Sequence, residues 1–100
     1  MNVQFTVSGG YAGLIRQCRL DTATMPPDEA AQLEQLVRRS GLSGSAERLS
    51  SRGRDLEEYA ITIEDGPRKI SLVLDASTLP AATKPLVGYL KKCARPASLR

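Results

Sequence analysis

The chain has 100 residues, of which 41% are apolar, and this is enough for one compact domain with a single hydrophobic core. It contains no histidine, which excludes Ser-His-Asp and Cys-His hydrolase sites, imidazole proton shuttles and zinc sites with histidine ligands. The net charge of +3 is smaller than the basic charge typical of a dedicated nucleic-acid-binding domain. The composition therefore disfavours an enzyme.

The two cysteines, Cys18 and Cys93, are far apart in the sequence and form no CxxC motif, so no zinc or iron–sulfur site is expected. Residues 1–7 lack the basic and apolar regions of a secretion signal, which predicts a cytoplasmic protein with reduced core thiols. No apolar run approaches the ~20 residues that cross a bilayer, so no membrane contact is expected.

The first segments predict a β-hairpin. Residues 3–7 alternate between apolar and polar side chains, which is typical of a half-buried strand. Residues 8–13 are rich in glycine and predict a loop, and residues 14–20 predict a second strand. On that strand, Cys18 and Leu20 are expected to face the core.

A helix is predicted next. Thr24 is a candidate N-cap, two prolines at 26–27 suit the first turn, and Gly41 can end the helix in the left-handed conformation. The apolar residues recur at helical spacing. They are Ala30, Leu33, Leu36 and Val37.

Residues 41–56 are rich in serine, glycine and arginine and predict a long mobile loop, with a short helical turn considered near residues 46–49. Alternation then predicts strands over residues 59–64 and 70–74, joined by a turn at residues 65–68. Residues 75–80 are a connector. A second amphipathic helix follows, in which four residues occur at positions i, i+3, i+4 and i+7. They are Leu86, Tyr89, Leu90 and Cys93.

These elements predict an α+β fold of order ββαββα, with a four-stranded antiparallel sheet and both helices on one face. The domain is expected to span residues 1–95, followed by a flexible tail at 96–100. If the strands are antiparallel and the first helix returns along them, loops 8–13, 41–56 and 75–80 share one end of the sheet. The connection at 21–26 and the turn at 65–68 share the other.

The end with the three loops carries apolar side chains, Tyr11 and Leu14, beside a carboxylate, Asp55, and Leu56. A rim of this kind is a candidate recognition surface. Structural alternatives stay open, because Tyr11 can pack over the sheet edge and Asp55 can be a solvated loop acid or a turn cap.

Two other motifs have weaker functional interpretations. The glycine-rich loop lacks the Lys-Ser/Thr of a P-loop and leads into a strand, so a phosphate site is not favoured. The arginines at 48, 52 and 54 could contact nucleic-acid phosphates, but no aromatic platform surrounds them. A small regulatory or nucleic-acid-associated module that uses residues 48–54 remains the alternative function.

Several blocks of the sequence occur in order along almost the whole chain. They are VSGGYAG at 7–13, DT at 21–22, PPDEA at 26–30, YAITIEDG at 59–66, LP at 79–80 and PLV at 85–87. Together these blocks resemble the emfourin family. The region 41–54 and the tail do not contribute to the likeness. The resemblance implies an intracellular bacterial protein that inhibits protealysin-like metalloproteases of the thermolysin family and is not itself an enzyme.

If that implication holds, the partner is a zinc protease whose fourth zinc position is open, and a carboxylate of this chain would block it. Asp55 is the first candidate for the zinc contact, and Asp75 and Asp21 (the latter with Asp65) are alternatives. The free protein is expected to be a monomer that binds no metal or cofactor. The expected protease-binding residues are Gly9, Gly10, Tyr11, Ala12, Gly13, Leu14, Asp55 and Leu56.

Overall fold

A computed structural model describes residues 1–9, 15–42, 45–48 and 57–96. In this part of the chain, six strands form one sheet in the order β3-β5-β4-β1-β2-β6. The strands are β1 Asn2–Gly9, β2 Arg16–Asp21, β3 Ser45–Arg48, β4 Glu57–Asp65, β5 Arg68–Asp75 and β6 Arg95–Pro96. The helices are α1 Pro27–Arg39 and α2 Lys84–Cys93, preceded by 3₁₀ turns at Thr22–Thr24 and Ala81–Thr83.

The α+β class is confirmed, but the predicted four-stranded sheet and the order ββαββα are wrong. The pairs β5–β4, β4–β1, β1–β2 and β2–β6 are antiparallel, and β3 is added parallel to β5 at one edge. The sequence of β3, SAER, has no alternation of large apolar residues, and β6 has only two residues. Neither strand carries the periodic signal on which the prediction depended. Pro96, expected in the tail, lies in β6, and residues 97–100 lie outside the described part.

The alternation in β1 is confirmed by its burial. Val3, Phe5 and Val7 are at most 2% exposed, whereas the intervening residues are half-buried. β1 lies between β2 and β4 and is antiparallel to both. β1 is therefore a central strand of the sheet.

Both helices cover the same face of the sheet. Leu33 of α1 and Leu86 and Leu90 of α2 are fully buried in one cluster with the inward side chains of β1, β4 and β5. The two helices meet where the Thr83 hydroxyl donates a hydrogen bond of 2.9 Å to the Ser40 carbonyl oxygen. No helix in the described residues is long and apolar enough to cross a membrane.

The start of α1 differs from the prediction. Thr24 is not its N-cap, because Thr22–Thr24 form a separate 3₁₀ turn whose first N–H groups are capped by Asp21, with Ala23 N donating to Oδ1 at 2.9 Å. α1 begins at Pro27, where a missing N–H costs nothing. Gly41 has a φ of +72°, so the predicted left-handed end of the helix is confirmed.

The path after α1 is also different. Val37 and Leu42 line one crevice with Asp65 and Arg68, so α1 ends beside the β4–β5 turn. β3 then carries the chain along β5 toward the opposite end of the sheet. Segment 41–56 is therefore not one loop, and the helical turn considered near residues 46–49 is wrong because Ser45–Arg48 is a strand.

Both cysteines are free, half-buried thiols near the end of α2. The Cys18 thiol donates a hydrogen bond of 3.7 Å to the Leu90 carbonyl oxygen. Burial, and secondarily the proximity of Cys93, raises the pKa of Cys18 to about 11 from its ordinary value of 9.0. Because the thiolate is the reactive form, Cys18 is protected from alkylation at neutral pH.

Alkylation should measure this protection directly. A two-unit rise in pKa lowers the thiolate fraction at pH 8 roughly 100-fold. Iodoacetamide should therefore modify Cys18 roughly 100-fold more slowly in the folded protein than in urea, as followed by mass spectrometry of the peptide that carries it. Equal rates in the two states would contradict the burial of this thiol.

The fold depends on α2 through Leu90, which is fully buried. Leu90→Ala should lower the free energy of unfolding by about 2–5 kcal/mol, because it leaves a cavity under the helix. Lys92→Ala, at an exposed position on the same helix, should change it by less than about 0.5 kcal/mol. Urea unfolding followed by circular dichroism compares the two variants, and equal losses would show that α2 does not pack as described.

Candidate protein-binding site at the loop end of the sheet

Four strand ends meet at one end of the sheet, which we call the loop end and define by Gly9, Arg16, Glu57 and Asp75. In the sheet register, Gly9 is paired with Glu57, Val7 with Arg16, and Glu58 with Asp75. The opposite end, with Asp21 and the Gly66–Pro67 turn, is the turn end.

Two segments with predicted site residues leave the sheet from these strand ends. The first joins Gly9 of β1 to β2, and the second joins Arg48 of β3 to Glu57 of β4. Because β1 and β4 are paired, the attachment points of the two segments are one strand spacing apart, about 4.8 Å. Of the predicted protease-binding residues, Gly9 is described in β1. The others, Gly10, Tyr11, Ala12, Gly13, Leu14, Asp55 and Leu56, lie outside the described residues.

Asp75, the alternative acid at the loop end, is fully buried. Its Oδ1 atom accepts hydrogen bonds from Ser77 N at 2.9 Å, Ser77 Oγ at 2.7 Å and Thr78 N at 3.0 Å. This is the pattern of an aspartate that stabilises the turn after its own strand. Its geometry favours a structural function over contact with a partner.

Asp21, the other alternative, lies at the turn end, paired with Asn2 and capping the 3₁₀ turn. Asn2 is also paired with Glu64, so Asp65, the residue after Glu64, lies at the same end. Asp21 and Asp65 are thus at the end of the sheet opposite Gly9. Of the arginines considered for nucleic acid, Arg48 ends β3, and Arg52 and Arg54 lie outside the described residues.

A cluster of charged and aromatic side chains lies at the base of both segments, and we call its four members, Arg16, Glu57, Tyr59 and Lys91, the Glu57 cluster. Lys91 Nζ donates to Glu57 Oε1 at 2.7 Å, and the Tyr59 hydroxyl donates to the same oxygen at 3.1 Å. Arg16 donates to Glu57 Oε2 at 3.5 Å. One carboxylate therefore joins β2, β4 and α2.

The aromatic member anchors this cluster to the core. Tyr59 is 4% exposed and its ring stacks on Phe5, with ring centroids 6.1 Å apart. Lys91 Nζ is 5.8 Å from the centroid of the Tyr59 ring, which is within the range of a cation–π contact. The cluster thus connects the buried face of the sheet with its exposed end.

Contacts within the cluster shift the pKa values of Glu57 and Lys91. The hydrogen bond from Lys91 lowers the pKa of Glu57 below its usual range, against an opposing effect of burial. The same bond raises the pKa of Lys91. The pair is consequently ionised throughout the interval between the ordinary values of 4.5 and 10.5.

The energy of these bonds is modest. The side chains of Arg16, Glu57 and Lys91 are about one third exposed, at 34%, 32% and 35%. Ion pairs with this access to solvent contribute about 0.2–1 kcal/mol each. They are therefore better suited to fixing local geometry than to holding the whole domain together.

Sequence reasoning missed this cluster. The available signal was Glu57 itself, since an acid two positions before Tyr59 on an alternating strand shares the inward face of that strand. Its partners are 34 and 41 positions away, so no local pattern indicated them.

Comparison with known proteins identifies the chain. The sequence profile of the Emfourin family matches residues 5–91, and the chain belongs to this family, which is a family of metalloprotease inhibitors. No curated protein and no solved structure matches it significantly. Within the described part of the chain, no group of three cysteine, aspartate or glutamate side chains is placed to hold a metal ion.

The pKa of Glu57 provides a test of the cluster. Lys91→Met should raise it, because the hydrogen bond and charge that favour the carboxylate are removed. ¹³C NMR titration of the Glu57 carboxyl group measures the change, and Lys92→Met, at the exposed neighbouring position, should leave it unaltered.

The same variant should affect stability in a pH-dependent way. A lowered pKa in the folded state adds stability above the ordinary value of 4.5, and this is lost as the pH falls through the folded-state value. The difference in unfolding free energy between wild type and Lys91→Met should therefore shrink on acidification. A difference that stays constant to pH 2 would contradict an ionised Glu57–Lys91 pair.

Proposed function

We propose that this protein inhibits a protealysin-like zinc metalloprotease of the thermolysin family by occupying its active-site cleft with the loop end. Membership of the Emfourin family supports the class of target. The observation that carries the choice of the loop end is the pairing of Gly9 with Glu57, which brings the attachment points of the two segments together. We further propose that the protein acts in the bacterial cytoplasm, where its thiols stay reduced.

In the proposed complex, the carboxylate of Asp55 contacts the catalytic zinc of the protease. A thermolysin-type zinc has three protein ligands and one open position, which a carboxylate oxygen can fill at about 2.0–2.2 Å. Filling it displaces the water that would attack the peptide bond. Asp55 is two residues before Glu57, so its Cα is within about 7 Å of the Cα of Glu57, the first residue of β4.

Apolar residues complete the proposed contact. Tyr11, Leu14 and Leu56 are placed in the substrate subsites, which in a peptidase cleft accept side chains. Protease–inhibitor interfaces bury roughly 800 Å² on each partner, which one end of a 100-residue domain can supply. Contacts from two neighbouring segments also explain why both are attached at one end of the sheet.

Inhibition titrations test this assignment. Wild type, Asp55→Asn, Asp21→Asn and the Tyr11→Ala/Leu14→Ala double variant are titrated against a thermolysin-family protease with a fluorogenic peptide substrate. Asp55→Asn should weaken inhibition roughly 100-fold, or about 2.7 kcal/mol, because the amide is a poor zinc ligand. The apolar double variant should lose 10- to 100-fold through lost burial, and Asp21→Asn should match wild type.

Matched controls separate the alternatives. A small zinc-chelating hydroxamate should compete with the wild-type protein, because both would occupy the metal position. Inhibition should change little with salt, whereas binding through the arginines of 48–54 to nucleic acid would weaken steeply. If Asp55→Asn inhibits as strongly as wild type, Asp55 is not the zinc contact. If wild type does not inhibit at any concentration, the proposed function is wrong.

A further inference from the structure

The Glu57 cluster lies at strand ends to which the two segments assigned to the protease are attached. Glu57 directly follows Asp55–Leu56 in the chain, and Arg16 is two residues after Leu14. The carboxylate of Glu57 accepts hydrogen bonds from Arg16, at 3.5 Å, and from Lys91, at 2.7 Å. The strand residues at which the two segments re-enter the sheet, Arg16 and Glu57, are therefore joined side chain to side chain.

The backbone of Glu57 is held as well. Its carbonyl oxygen accepts a hydrogen bond of 3.1 Å from Ala76 N, and the residue is paired with Gly9 in the sheet. The main chain of β4 is thus fixed where the segment enters the sheet. The side chain of Glu57 adds contacts with Arg16 of β2, on the far side of β1, and with Lys91 of α2. The backbone pairing of β4 provides neither contact.

We propose that Glu57 is a positioning residue for inhibition: its carboxylate, held by Lys91 and Arg16, fixes the starts of β2 and β4 relative to each other and to α2 in the arrangement that the protease-bound protein needs. The inference rests on the proposed function and assigns Glu57 no contact with the zinc. Its physical basis is preorganisation, since conformational freedom retained by a binding segment in the free protein has to be lost in the complex.

The first test is a substitution that removes the charge with little change in shape. Glu57→Gln should weaken inhibition of the thermolysin-family protease roughly three- to tenfold, as expected for partly exposed ion pairs, while the cooperative unfolding transition is retained. Glu64→Gln is the matched control, because Glu64 lies on the same strand at the turn end, with its Oε1 4.0 Å from Lys69 Nζ. It should inhibit like wild type.

A double-mutant cycle distinguishes positioning from general destabilisation. If Glu57 acts through Lys91, the Glu57→Gln/Lys91→Met variant should lose no more inhibition than the more affected single variant, and the coupling should be absent between Glu64→Gln and Lys91→Met. Glu57→Asp, which keeps the charge, should inhibit better than Glu57→Gln. Additive losses, or equal inhibition by the aspartate and glutamine variants, would overturn the positioning function.

Amide hydrogen exchange tests the same inference without a protease. Glu57→Gln should increase exchange at Gly9, Arg16 and Glu58, at the ends of the segments, and leave the turn-end amides of Glu64 and Lys69 unchanged. If wild type inhibits and Glu57→Gln inhibits equally well, the positioning function is wrong and the proposed function stands. If wild type does not inhibit, the proposed function is wrong. Unaltered exchange at these amides in Glu57→Gln would show that Glu57 does not order the strand ends.

Discussion

The antiparallel pairing of β1 with both β2 and β4 is the constraint on which the rest of the structure depends. Because β1 has a neighbour on each side, its end at Gly9 lies beside the start of β4 at Glu57. The inward side chains of β1 also form the middle of the core under both helices. One strand therefore sets both the packing of the domain and the grouping of the attachment points of the two segments proposed to bind the protease.

The elements with strong periodicity could be predicted from the sequence. Alternation around Phe5 and Ile61 located two central strands, and Leu33 indicated the buried face of α1. β3 could not be found, because an edge strand is stabilised by its ladder with β5 and needs no apolar alternation. The direction of α1 was misjudged for a related reason: its path depends on packing across the sheet, which the helical spacing of its own residues does not determine.

At the candidate site, topology was more predictable than chemistry. The prediction that Gly9 and the end of β5 lie at the same end is confirmed by the register. It assumed that α1 returns along the sheet, whereas β3 makes that return. Alternation could have placed Glu57 on the inward face of β4, but its cationic partners are 34 and 41 positions away and are brought to it only by folding. Conversely, Asp75 was an attractive acid in the sequence, but its burial and its turn hydrogen bonds could be seen only in three dimensions.

The turn between β4 and β5 is a suitable position at which to attach a label or a fused domain. Gly66 has a φ of +61°, which favours glycine at that position, but its neighbour Pro67 is exposed. The nine residues of β4 separate this turn from the loop end by about 30 Å. A dye, a surface linker or a fused domain attached there would leave the opposite end facing solution. Pro96, by contrast, is paired with Arg16 at the loop end, so a group attached at Pro96 would crowd the strand ends to which the segments proposed to bind the protease are attached.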